Sequence, residues 1–259
     1  MTNQSTRRSG GRAARRAMRA APLAENLRPV RAGMEGGNYG PLSKAGIRRI
    51  HEAALQALET IGLADAPDSG VAAMTASGAR LGDDGRLRFP RALVEDVIAR
   101  APREITLFGR DPKHDLKLSG NRVHFGTAGA AVHMVDVEGR DYRECTVQDL
   151  HDAARIVDQL DNIHFLQRPM VCRDIADNYE MDLNTIYACC AGTTKHVGTS
   201  LTEPGFVDGA LELLHVIAGG EANWRARPFV SDSNCFVVPP MEFATESWQV
   251  MEKLVRRGM

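Results

Sequence analysis

Residues 193–218 read TTKHVGTSLTEPGFVDGALELLHVIA, and this stretch decides the fold class. Lys195–Ser200 is a short run with polar flanks, the composition of a buried strand. Pro204 and Gly205 break it. From Gly205 to Ala218, Phe206, Ala210, Leu213, Leu214 and Ile217 recur at three- and four-residue steps, which is one face of a helix. The same alternation extends both ways. Upstream, Ile163–Pro169 reads as a strand and Leu183–Ala191 as a helix. Before them, the apolar, glycine-containing stretch Val123–Val135 precedes a helix with Leu150, Ala153, Ala154, Val157 and Leu160 on its face. Thr146 and Asp149 stand at its start like a capping box. Downstream, Phe229–Val238 reads as a strand. Thr245–Arg257 reads as a helix with Trp248, Met251, Leu254 and Val255 aligned, and Gly258 is its natural C-cap. Four βα units therefore fill residues 122–258. Strands separated by helices argue for parallel pairing and right-handed crossovers, hence an α/β fold. A doubly wound sheet and a barrel both fit. A dinucleotide-binding unit fits less well, because no G-x-G-x-x-G follows a strand.

The rest of the chain is organised differently. Its 259 residues match the length of a complete (β/α)8 barrel, which takes about 250. Residues 1–40 nonetheless read as a basic, disordered tail. Residues 41–121 read as a helical and hairpin extension, and only 122–259 carry the repeating units. In the extension Ser43 is a plausible N-cap for a helix with Ile47, Ile50, Ala54, Leu58 and Ile61 on one face, stopped at Gly62. A second helix covers Asp68–Ala76, and Gly78–Phe89 reads as a hairpin. Pro90 starts a helix that buries Leu93, Val94, Val97 and Ile98. Glu104–Phe108 is a strand, followed by the turn Gly109-Arg110-Asp111-Pro112. Four units alone leave two exposed parallel edges, which proteins usually cover or close.

The formal net charge is −1, which argues against a nucleic-acid coat protein. The first 22 residues carry six arginines and no acid, so the remainder is clearly acidic. This leader reads as a solvated basic tail, with an anionic-surface contact or a targeting presequence as the alternatives. No apolar core region follows it, and no window approaches the roughly 18 apolar residues of a membrane span. The expectation is a cytoplasmic protein with no membrane and no nucleic-acid partner. Cys145, Cys172, Cys189, Cys190 and Cys235 are odd in number and lack C-x-x-C spacing, so they read as small apolar fillers.

Function in a parallel α/β fold sits at the C-terminal ends of the strands. Candidates there are Thr127 and His133 on the first unit, Arg168 on the second, Lys195 and His196 on the third, and Ser231-Asp232-Ser233-Asn234 on the fourth. Arg168 and Lys195 suit an anionic group such as a carboxylate. Arg168 suits equally a structural pairing with Asp174 or Asp177. Alternation turns His196 and Gly198 to the layer opposite Val197, where His196 is either a satisfied structural residue or a substrate contact. No H-E-x-x-H or compact His/Asp/Cys cluster suggests zinc, and no G-x-S-x-G or P-loop occurs. Asp149-Leu150-His151-Asp152-Ala153-Ala154 is similar to a cobalamin-binding D-x-H-x-x-G with alanine last. It falls in the first turns of a helix and reads as coincidence. Glu242 and Glu246, one helical turn apart, read as solvated charges. These patterns reach an enzyme-like α/β domain without a reaction class.

An ordered set of short motifs adds one. It comprises Leu42-Ser43 with Ile50-His51-Glu52-Ala53-Ala54, Phe89-Pro90 with Ala101-Pro102, and Gly109-Arg110-Asp111-Pro112. It continues with Val123-His124-Phe125-Gly126-Thr127-Ala128-Gly129, Thr146-Val147-Gln148-Asp149-Leu150, Ala154-Arg155, Arg168-Pro169 and Thr194-Lys195-His196. With this order and spacing over residues 40–258, the chain resembles the N-terminal half of the trimethylamine methyltransferase family, including its non-pyrrolysine glycine betaine-type members. The resemblance implies a partial TIM-type barrel of about four βα units behind an N-terminal helical extension and small hairpin. It implies transfer of a methyl group from a methylated or quaternary amine to the Co(I) of a separate corrinoid protein. Cobalamin is then carried by that partner and not bound directly. A second polypeptide supplying the other barrel half and a homo-oligomer are further expected partners. No position here corresponds to the family's pyrrolysine. Arg168, Lys195, His196 and Thr127 are the expected substrate-binding residues, no catalytic residue is assigned, and little activity is expected from these 259 residues alone. The alternative is a non-catalytic small-molecule-binding or structural remnant of such an enzyme.

Overall fold

The computed structural model describes residues 11–21, 28 and 31–259, in two units, 1–31 and 32–259. In the first unit Arg12–Ala20 forms helix α1, so this part of the expected disordered tail is helical. The expectation for residues 1–10, 22–27, 29 and 30 lies outside the described residues.

The second unit opens with β1 (Met34–Glu35) and α2 (Lys44–Thr60). The Ser43 hydroxyl accepts from the Gly46 N–H at 3.0 Å and so caps α2, as its position suggested. The apolar stripe of α2 does not do what its spacing predicted. Ile47 and Ile50 are exposed, and α2 buries Leu55 instead. Next come α3 (Asp68–Ala76), the hairpin β2 (Arg80–Leu81) and β3 (Leu87–Arg88), and α4 (Arg91–Arg100). Val97 and Ile98 of α4 are exposed, contrary to expectation. The reason is that α4 is tied to α2 by the ion pairs of Arg91 with Glu52 and Glu59 and by a hydrogen bond between His51 and Glu95, while Leu93 packs on the core below. β4 (Glu104–Leu107) pairs antiparallel with β5 (Leu116–Ser119), and β6 (Arg122–Val123) pairs with β1.

From here the elements are β7 (His133–Val135), β8 (Tyr142–Glu144), α5 (Val147–Gln159), β9 (Leu166–Gln167), α6 (Asn178–Gly192) and β10 (Val197–Thr199). They are followed by α7 (Val207–Ala218), α8 (Glu221–Ala226), β11 (Val230–Asp232), β12 (Val237–Val238), β13 (Glu242–Phe243) and α9 (Thr245–Arg257). The strand expected over Phe229–Val238 ends at Asp232, and its remainder forms an antiparallel hairpin, β12 with β13. Glu242 therefore lies in a strand, not one helical turn from Glu246.

β9, β10 and β11 form a parallel sheet in the order β11-β10-β9. The expected first strand over Val123–Val135 is interrupted: its ends form β6 and β7, and between them only isolated parallel bridges, Gly126 with Phe165 and Ala131 with Met170, set this first segment beside β9. The register aligns Leu166, Val197 and Val230 in one row, all at or below 2% exposure. That row packs under α5, α6, α7 and α9 with Leu150, Ile186, Leu214 and Leu254. Each such side chain, fully buried, contributes about 1.5–3 kcal/mol. A second core joins Leu63, Ala79 and Leu87 of the extension to Phe243 and Trp248. Residues 41–121 and 122–259 both lie within the second unit and share this core. No helix among the described residues is long and apolar enough to cross a membrane.

Candidate functional site

The direction of the strands sorts the residues expected from the sequence. Lys195 and His196 precede β10 and lie at its N-terminal end, while Arg168 follows β9 and lies at the C-terminal end. The expected cluster is therefore split between opposite ends of the sheet.

Lys195 is 3% exposed, and its Nζ donates to the carbonyls of Val157, Leu160 and Ile163 at 2.6, 2.8 and 2.6 Å. These groups close the C-terminal end of α5, where a cation is favoured. All three ammonium protons are taken. Burial pulls the Lys195 pKa below its ordinary value, with Asp158 and Asp161 opposing.

His196 is also buried. Its Nδ1 lies 2.9 Å from the Phe108 carbonyl and its Nε2 lies 2.9 Å from the Ser231 hydroxyl. A carbonyl only accepts, so Nδ1 carries the proton, and in the neutral ring Nε2 accepts from Ser231. Burial lowers the His196 pKa, the Phe108 bond opposing it, and favours that neutral state. His196 and Ser231 border a groove of about 380 Å³ whose apolar wall includes Met251, Leu254, Val255 and Met259.

At the other end, the Thr127 hydroxyl donates to the Gln167 carbonyl at 2.5 Å, and Arg168 Nη2 donates to Ser200 Oγ at 3.1 Å. Asp174 and Asp177 are not the partners of Arg168. The Asp174 carboxylate accepts from the Val147 N–H, and Asp177 caps α6 through the Glu180 N–H. The charge of Arg168 acts instead on Asp182 and Asp232. Asp182 is 1% exposed and accepts from the Thr202 N–H and hydroxyl at 2.8 and 2.9 Å. Asp232 accepts from the Leu201 N–H at 3.2 Å. Burial raises the pKa of both acids, and Arg168 opposes the rise. Asp182 Oδ1 and Thr199 Oγ1 have no hydrogen-bond partner among the described residues. Asp182 had a signal in the sequence: it shares the helical stripe of Ile186 and Cys189, where an acid is out of place.

The face of the sheet opposite the helices carries a second row, Gln167, Gly198 and Ser231, in register. Phe165, two residues before Gln167, points to the same side. Sequence reasoning placed Gly198 on this face and missed Phe165 and Gln167, because neither residue type announces a site. Cys145, Cys172, Cys189 and Cys190 are buried, as expected of fillers. Burial pushes Cys172 up to about 11 and Cys190 up to about 12, so both thiols are unreactive near neutral pH.

The sequence profile described as trimethylamine methyltransferase matches residues 8–259. The chain belongs to the trimethylamine methyltransferase family. It is 28% identical over 229 residues to trimethylamine methyltransferase MttB of Desulfitobacterium hafniense (strain DSM 10664 / DCB-2), covering 88% of this chain and 46% of that protein. It is 25% identical over 218 residues to MttB1 of Methanosarcina mazei, covering 82% of this chain and 44% of the relative. The glycine betaine methyltransferase of Desulfitobacterium hafniense (strain Y51) is 23% identical over 191 residues, or 73% of this chain and 39% of the relative. The chain thus spans less than half the length of these family members.

Proposed function

We propose that this chain takes part in moving a methyl group from a methylated amine, trimethylamine-like or glycine betaine-like, to the cobalt of a corrinoid held by a partner protein. The observation that carries the reading is the family match across residues 8–259. The sheet supports a further part of it. An open doubly wound sheet reverses its strand order at a switch point. Here the first segment, β9, β10 and β11 follow one another without reversal, and neighbouring helices pack on one another in the same order. That order is the one expected of the first half of a (β/α)8 barrel and supports that reading.

A quaternary ammonium needs no proton to make its nitrogen a leaving group. The N–CH3 bond breaks, the electron pair stays on nitrogen, and a neutral tertiary amine departs. The protein's task is to bind the cation, aim the N–CH3 bond and exclude water. The chain's own residues do not fit a corrin on the motif-like stretch from Asp149 to Ala154. The Asp149 carboxylate accepts from Thr146 and from both terminal nitrogens of Arg143, at 2.6 and 2.8 Å, and Ala154 is fully buried in the core. The corrinoid supplies the methyl-accepting metal when its carrier docks, and this chain handles the amine.

The test is demethylation of trimethylamine, glycine betaine, carnitine and proline betaine by the protein with a reduced corrinoid protein, paired with calorimetric binding. Binding of one amine, with turnover once the polypeptide of the other barrel half is added, is the expected result. Binding without turnover in that mixture favours the non-catalytic alternative, and neither binding nor turnover overturns the proposal.

A further inference from the structure

Two glycines on the face opposite the helices each leave room for a larger side chain from the strand between them. A Cβ on Gly126 would lie 2.3 Å from the Phe165 ring, so that ring lies across the first segment where Gly126 has no side chain. A Cβ on Gly198 would lie 2.0 Å from Gln167 Oε1, so the Gln167 carboxamide lies across β10 in the same manner. Phe165 and Gln167 are two residues apart on one strand, and so they present an aromatic ring and an amide side by side on one face. Both are partly exposed. The Gln167 main-chain carbonyl is bonded to Thr127, but the side-chain amide has no hydrogen-bond partner among the described residues. Leu166 between them faces the helices and is fully buried, which fixes the orientation of its neighbours.

This combination has a chemical preference. An aromatic face attracts a cation through its quadrupole, and a methylated ammonium offers soft, weakly hydrated positive charge with little or nothing to donate. A carboxamide oxygen beside the ring adds a negative dipole end without introducing a charge that holds water. We infer that Phe165 and Gln167 form the seat for the methylated ammonium group, with Gly126 and Gly198 required as their cradles. The inference rests on the proposed function and names the residues that contact its substrate. It also gives Gly198 in the stretch TTKHVGTS a role.

The test measures binding of tetramethylammonium and trimethylamine to the protein and to Phe165→Leu, Phe165→Tyr, Gln167→Leu and Gly198→Ala. Tetramethylammonium carries neither an N–H nor a carboxylate and reports on the cation seat alone. Loss of the ring or of the amide weakens binding about tenfold each, the scale of a partly desolvated cation–aromatic contact. Phe165→Tyr keeps the ring and retains affinity. Gly198→Ala displaces the amide, so it weakens binding in the native background and adds nothing once Gln167→Leu is present. A purely structural role for Gly198 would lower the melting temperature equally in both backgrounds and leave binding unmoved. If the native protein binds either amine and Phe165→Leu and Gln167→Leu bind it within twofold, the seat is wrong while the proposed function stands. If the native protein binds no methylated amine, both fall.

Discussion

Lys195 shows how a residue's chemistry is set by what surrounds it in space. Its type and its place beside a strand suggest an anion contact, but its ammonium serves three carbonyls at the end of α5. Replacing it with methionine preserves bulk but strips the charged bond from all three carbonyls; those of Val157 and Leu160 keep the N–H groups of Leu160 and Ile163, while that of Ile163 has no other donor among the described residues. Lys195→Met therefore destabilises the protein by about 1–3 kcal/mol, read as a shift of the urea midpoint at constant slope. His164 and His196 are buried, and burial pulls both pKa values down. The unfolded chain binds these two protons near the ordinary histidine value of about 6.5, while the folded state binds them only at lower pH. Stability due to the neutral rings is thus present above that pH and is lost as pH falls below it. The slope reaches at most about 1.4 kcal/mol per pH unit for each ring. Urea unfolding at pH 7.5, 6.5 and 5.5 measures it, and His196→Asn flattens it. Asp182 and Asp232 act in the opposite sense, since their raised values remove stability as pH climbs through the carboxylate range. A stability curve flat from pH 7.5 to 5.5 would contradict the buried neutral histidines.

Elements were legible where local chemistry decides them. Ser43, the Thr146–Asp149 capping box and the bounds of α3 and α9 follow from capping residues and breakers, and the structure has them. The faces of those elements were less legible, because a stripe says a helix is amphipathic without saying what lies opposite. Ile47 and Ile50 belong to a clear stripe and yet face solvent. The end of β11 at Asp232 was equally hidden, since Phe236, Val237 and Val238 continue an apolar run but belong to another hairpin, where Phe236 packs on the second core and Val237 is exposed. For the candidate site, the strand ends were found and the side chains were not, because which residues share a face depends on register. Packing between elements is also invisible until they meet. A Cβ on Gly192 would lie 2.5 Å from the Ala154 Cβ and 2.8 Å from the His151 carbonyl, so α5 and α6 touch through bare backbone. Gly192→Ala forces them apart and costs about 1–3 kcal/mol. Adding Ala154→Gly recovers part of that loss, because the carbonyl contact remains. Chemical denaturation of the three variants shows the coupling, and strictly additive losses would count against a direct contact.

At the scale of the second unit, the extension is held to the α/β part by shared structure. Trp248 belongs to α9 but packs with Leu63, Ala79 and Leu87, and its indole N–H donates to Ser69 Oγ at 3.1 Å. Arg86 lies on the turn between β2 and β3, and its guanidinium donates to the carbonyls of Ile61 and Gly62 at the end of α2 and to Met241 beside β13. The main chain adds Ala64 N–H to the Met241 carbonyl and Phe243 N–H to the Ala64 carbonyl, at 3.0 and 2.9 Å. A boundary at residue 121, natural from the change in sequence rhythm, is crossed by the Trp248, Met241 and Phe243 links. Residues 32–259 therefore unfold together. Trp248→Ala removes the indole that bridges the two parts, at a cost of about 3–5 kcal/mol for a buried aromatic. Hydrogen exchange followed by mass spectrometry then has a definite outcome: protection falls together throughout residues 63–88 and 245–257, although the substituted residue lies in the second. Loss of protection confined to α9 would show that the extension stands alone, and the shared core would then be a contact without cooperativity.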